Sequence, residues 1–186
     1  MKLLIGVLLF MGIAIAPSVI AEGAIGSTER LREIQQRRGI VVITDDNKQT
    51  AIQQCNDGKI KLATIQSASD SAVKKRLVIY ETIQKEIKAI ELRMSKQGAD
   101  ASELDLLIGR LQQNLDTFTE QARYSQQLAE DITTIDCNSS PDVYRSGADE
   151  YIEVRNVLYT SSTELKNIII AAPKETFVPL ADRLKI

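Results

Sequence analysis

Two cysteines, Cys55 and Cys137, are the residues best suited to covalent chemistry in this chain, and they stand 82 residues apart. A nucleophilic thiol needs a basic neighbour to lower its pKa. Asp57 and Asp136 beside the two cysteines work against that. Two thiols without histidine also make a poor zinc site. The chain has no histidine at all. That removes the commonest general base and the commonest metal ligand. Ser-His-Asp, Cys-His, His-zinc and Glu-x-x-His di-iron arrangements are excluded within it.

Other motifs are weaker. Ser71-Ala-Val-Lys74 has the Ser-x-x-Lys spacing that sets a lysine beside a nucleophilic serine, but the companion Ser-Asp-Asn and Lys-Thr-Gly elements are missing. An ordinary helix face is the better reading. Asn138-Ser139-Ser140 is a glycosylation sequon, meaningful only in a eukaryotic secretory pathway. Arg37-Arg38 offers a protease site, yet cations are also favoured at a helix C-terminus. Lys74-Lys75-Arg76 reads as a solvated helix face. The chain carries 23 basic and 25 acidic residues, a net charge of −2, which does not supply the field that nucleic-acid binding needs. The carboxylates are spread over helix surfaces, and Gly23 and Gly26 are too few for a phosphate loop. The expectation is therefore no catalytic residue, no cofactor, no metal and no nucleic-acid partner.

The elements that position these residues begin with a leader. Met1-Lys2 precedes an apolar run, then Pro17, Val19-Ile20-Ala21 and a polar step at Glu22. This is the pattern of a secretory signal peptide over 1–21, with cleavage between Ala21 and Glu22. The alternative is an uncleaved anchor, since Leu3–Ala21 approaches the roughly 20 residues that span a bilayer. No cysteine follows the run to take a lipid, and no later segment is long and apolar enough to cross.

Residues 22–46 read as a short helix and an apolar connector. Ser27-Thr28-Glu29 starts the helix with a hydroxyl cap, Leu31 and Ile34 give it a small apolar face, and Gly39 ends it. Ile40-Val41-Val42-Ile43 is expected to lie extended and packed on the helices. Thr44-Asp45-Asp46 caps the next helix.

Residues 47–172 read as three long helices. Over 47–97, Val73, Tyr80, Ile87 and Met94 recur every seven residues. Cys55, Leu62, Ile83 and Ile90 extend the companion row, with Ser69 and Arg76 interrupting it. Seven-residue spacing keeps one seam toward a partner helix. Ile65, Ala72 and Ile79 widen the apolar face, so a third helix is expected on that flank. Gln97-Gly98-Ala99-Asp100 breaks the run. Over 101–135, Leu104, Leu111, Phe118, Ser125 and Ile132 form one row, and Ile108, Leu115, Ala122 and Ala129 another. Over 141–172, Ser140 caps, Pro141 suits the first turn, and Tyr144, Tyr151, Leu158, Leu165 and Ala172 repeat by seven. Pro173 is expected to stop the helix. The tail 173–186 docks through Phe177, Val178 and Leu180 or stays disordered.

The cysteines now acquire a purpose. With the first two long helices folded about Gly98, Cys55 lies 43 positions before the turn and Cys137 lies 39 after it. At ~1.5 Å rise per residue the two miss by about 6 Å, which the loose segment at Asp136 can absorb. Export favours the oxidised form. A disulfide Cys55–Cys137 is expected, the alternatives being two reduced thiols or pairing between chains.

The order is a cysteine near the start of a long helix, a turn, a second helix, then "CNSSPDVYRSGADEYIEVRNVLY" opening a helix that ends "LKNIIIAA". Over about 50–172 this resembles the small secreted helical proteins of unknown function found in reduced-genome, candidate-phyla bacteria. The resemblance implies a bacterial exported protein. It brings no catalytic or binding residue with it.

The sequence thus predicts an all-α protein, an elongated antiparallel helical hairpin or three-helix bundle with coiled-coil-like seams. It would be exported, to the periplasm, cell surface or medium, and touch the membrane only through an uncleaved leader. It would be non-enzymatic, a structural or protein-interaction protein of the envelope or surface, binding a protein partner or its own copies through helix faces. The alternative is a periplasmic-type holdase that shields unfolded exported clients in apolar grooves.

Overall fold

The computed structural model describes residues 26–39 and 42–184. The leader with its Ala21–Glu22 step, and Ile40-Val41 of the connector, lie outside the described residues. The described residues form helices α1 (Ser27–Arg38), α2 (Asp45–Lys96), α3 (Ser102–Thr134) and α4 (Pro141–Ala172). A π-helical turn, Pro173–Phe177, then leads into α5 (Val178–Leu184). There is no strand among the described residues. The protein is all-helical, with four helices packed against each other.

α2 has 52 residues, which is about 78 Å at ~1.5 Å per residue. Its end is built by Gly98, whose φ of 70° is the left-handed conformation glycine adopts without strain. Ala99 N–H reaches back to Met94 O at 3.0 Å, closing the turn. Asp100 Oδ1 then accepts from Ser102 N–H at 3.0 Å and starts α3. The hydroxyl caps expected elsewhere do not form. Gly26, Thr44 and Ser140 hold the N-cap positions of α1, α2 and α4 without a side-chain bond.

Contacts between α2 and α3 pair late residues of one with early residues of the other. Gln84 meets Gln112 near the turn, and Lys59 meets Ile135 far from it. The two helices therefore run in opposite directions. α4 returns alongside α2 in the same direction. Gln66 meets Tyr151 and Tyr80 meets Ser162, offsets of 85 and 82 residues.

The core divides in two. Near Gly98, Ile87, Met94, Leu104, Leu111, Phe118, Leu158 and Leu165 pack together. Near the disulfide, Leu31, Ile34, Leu62, Leu128, Ile132, Tyr151 and Val154 do so. Full burial of such side chains contributes about 1.5–3 kcal/mol each.

Three expectations need correction. α1 belongs to the bundle: Leu31 and Ile34 are each 1 % exposed, which makes it a fourth packed helix. The connector is not packed on the helices throughout, because Val42 is 75 % exposed. The flank of α2 expected to carry a third helix is largely open. Ile79 is 54 % exposed, because α4 turns its apolar stripe to α3 and meets α2 mainly through polar groups. Pro173 ends α4 as an α-helix, as expected, yet the helical path continues past it. It denies Ile169 a helical N–H partner, and the helix widens into a π turn closed by Val178 N–H to Pro173 O. The tail continues as α5 and docks through buried Leu180, while Val178 points outward.

Candidate functional site

The end of the bundle farthest from Gly98 holds the two cysteines. Cys55 and Cys137 are bonded to each other, with Cα atoms 5.7 Å apart, and both are buried. Neither sulfur is then a free nucleophile or metal ligand. The bridge ties α2 to the turn between α3 and α4. Lys59 Nζ donates to Ile135 O at 2.7 Å one helical turn away. Asp136 organises the turn itself. Its Oδ1 accepts from Asn138 N–H at 3.0 Å, and that bond holds its carboxyl below the ordinary range. Asn138 of the sequon is exposed on this turn.

α1 is clamped here by charge as well as by its two apolar side chains. Arg30 pairs with Asp131, and Gln35 Nε2 donates to Asp142 at 2.6 Å. Arg38 bridges Glu150 at 2.9 Å and Glu153 at 2.5 Å. The Glu153 bond, with Glu150, raises the Arg38 pKa further. Asp131 is buried, and loss of solvent pushes its carboxyl up despite Arg30 beside it. Glu150 also accepts from Tyr124 Oη at 3.3 Å, while burial pushes the Tyr124 phenol up. Each carboxylate in this cluster has a cation or donor, the pattern of a docking joint. The Arg37-Arg38 dipeptide is engaged in it, Arg37 reaching Glu150 at 3.5 Å.

Ser71 and Lys74 are both exposed on α2, and nothing joins them. Arg76, the third cation of the basic run, turns inward, and its Nη1 donates to Ser162 Oγ at 3.0 Å. That contact opens onto the feature sequence reasoning missed, a cleft of about 450 Å³ between α2 and α4. α2 supplies Ile65, Ala68, Ser69, Ala72, Val73 and Arg76; α4 supplies Arg155, Leu158 and Tyr159. The cleft falls where one half of the core gives way to the other. Polar contacts bridge the helices at this level. Tyr80 Oη donates to Ser162 O at 3.2 Å, and Tyr151 Oη donates to Gln66 Oε1 at 2.9 Å. Arg155 lies over the Tyr151 ring, 5.7 Å from its centroid.

Apolar side chains line both rims. Ile79 continues the Ile65–Ala72 row one heptad on. Tyr159 is 70 % exposed, and Ile152 stands exposed one heptad before it. The seven-residue spacing of Ile152 and Tyr159 was the available signal, in the row beside the Leu158–Leu165 row. A second cleft of about 400 Å³ lies between the same two helices nearer the disulfide, where Val42 and Ile43 meet Ala51 and Tyr144.

Among the described residues no group of three or more His, Cys, Asp or Glu is placed to hold a metal ion. Among them, no helix is long and apolar enough to cross a membrane. No protein-family model matches the chain, and no curated protein or solved structure matches it either.

Proposed function

We propose that this is a non-enzymatic, exported protein of the bacterial envelope or surface that works by binding another protein through its helix faces. One observation carries the reading: the α2–α4 cleft, lined by the exposed Ile65 and Tyr159, with Ile79 and Ile152 exposed beyond it on the same two helices. Large apolar side chains grouped on one face mark interaction surfaces. The elongated hairpin with coiled-coil-like seams is the scaffold that presents this face. The disulfide and the leader-like residues 1–21 support export, since such bonds persist in oxidising compartments.

The test is photo-crosslinking on the native cells, with the crosslinker placed in turn at Ile65, Tyr159 and the outward α3 residue Leu106. A defined envelope protein caught from the cleft positions and not from Leu106 is the expected result. A monomer that captures none at any position would end the reading.

A further inference from the structure

The cleft has a charge pattern that narrows its occupant. Its lining includes two cations, Arg76 and Arg155, and no acid. Neither arginine has an acidic partner within 4 Å among the described residues; Arg76 is held on Ser162 and Arg155 on the Tyr151 ring. Arg30, Arg37, Arg38 and Arg183 meet carboxylates, whereas these two cations are held by an uncharged hydroxyl and a ring. The floor is apolar, made by Val73 and Leu158. Resting on the interaction reading above, we propose that the α2–α4 cleft receives an amphipathic α-helix of a partner protein, with an apolar face flanked by carboxylates.

The spacing follows from the contacts. Arg76 is anchored at position 162 of α4, and the Arg155 guanidinium lies over Tyr151, eleven residues earlier, about 16.5 Å along a helix at ~1.5 Å per residue. A helix lying along the cleft meets both cations with acids about eleven residues, three turns, apart, its apolar positions between them on the floor. This is the helix-in-groove mode of recognition. Arginine beside a planar ring and a hydroxyl is already oriented to meet a carboxylate with two parallel bonds.

The experiment is selection of a displayed library of amphipathic helices, with randomised flanking positions, on the purified disulfide-bonded protein. Enrichment of Asp or Glu at positions about eleven apart is expected. The enriched peptide should bind at least tenfold more weakly to the Arg76→Glu/Arg155→Glu protein and to Arg76→Gln/Arg155→Gln. The charge-reversed protein should prefer the same peptide with Lys for Glu. Circular dichroism of each variant checks that the fold is kept. No enrichment, enrichment without acids, or binding indifferent to both arginine variants would overturn the assignment. So would a dimer in sedimentation, or binding to phosphatidylglycerol vesicles, that the same variants abolish. Any of these outcomes leaves the crosslinking result standing, so loss of the acidic-helix assignment and loss of the interaction reading are told apart.

Discussion

Gly58 of α2 lies directly beneath the hydroxyl of Tyr144 of α4: a Cβ at position 58 would stand 1.7 Å from Tyr144 Oη and 2.7 Å from Cζ. Helix propensity alone favours alanine over glycine there by about 0.8–1 kcal/mol. Contact reverses the sign. Gly58→Ala should destabilise the protein by about 1–3 kcal/mol, the usual cost of overpacking. In a Tyr144→Ala background the ring is gone, and the same substitution should stabilise by up to about 1 kcal/mol. Urea denaturation of the four proteins measures this. Equal effects of Gly58→Ala in both backgrounds would contradict the contact.

Three aspartates should titrate apart. Asp136 and Asp100 accept backbone N–H bonds, from Asn138 and Ser102, which hold both below the ordinary 3.8. Folding lowers these pKa values, so their stabilisation is complete above 3.8 and disappears as pH falls through the folded values. Asp131 has the opposite sign. Burial raises its folded pKa above 3.8, so the folded state takes its proton first. Its cost to stability is fully present above the folded pKa and fades as pH falls toward 3.8. Carboxyl chemical shifts followed from pH 7 to pH 2 should show Asp131 protonating first and Asp136 and Asp100 last. A shared midpoint would refute the assignments.

α1 should depend on its two apolar side chains more than on its ion pairs. Leu31 and Ile34 are buried to 1 % exposure, whereas Glu153, which Arg38 meets, is largely exposed. Large-to-alanine changes in cores cost about 2–5 kcal/mol, and exposed pairs about 0.2–1 kcal/mol. Leu31→Ala should therefore destabilise several-fold more than Arg38→Ala. Gly147→Ala should join the costly class, because its Cβ would stand 2.9 Å from Leu31 Cδ2 and 3.0 Å from Ile132 Cγ1. Denaturation midpoints rank the three variants, and Arg38→Ala as the most damaging would reverse the account.

The same residues show what sequence can reveal. All five members of the Leu104–Ile132 row are buried, Ser125 included, because α3 is packed between α2 and α4 and needs one inward position per heptad. The place of α4 was not legible. Its Tyr151–Leu158–Leu165 stripe suits either neighbour, and the choice falls to α3 because α2 offers α4 mostly Gln66, Arg76 and Tyr80 at their contacts. Docking of α1 was hidden for another reason. Two apolar residues in a helix of 12 give little periodicity, and their socket depends on Gly147, distant in sequence. The cleft was missed because Arg155 and Tyr159 lie on the flank a heptad reading assigns to solvent.

Removal of the disulfide should loosen one end of the protein and spare the other. The bridge closes a separation of 82 residues, worth roughly 4–5 kcal/mol in the chain-entropy model, a mechanism that is itself disputed. Its position decides where the loss appears. Cys55 lies ten residues into α2, and Cys137 sits in the turn that Asp136 organises. Around them, among the described residues, the Lys59–Ile135 bond and the Tyr144–Gly58 contact tie α2 to the rest before Leu62 enters the core. The Gly98 end has its own closed turn and the larger share of buried leucine. In Cys55→Ser/Cys137→Ser, amide exchange should accelerate most across 45–61 and 135–145, while 87–115 keeps its protection against local opening. The overall denaturation midpoint should fall. Uniform acceleration along all of α2 would show instead that the two halves of the core unfold as one unit, with the bridge serving both.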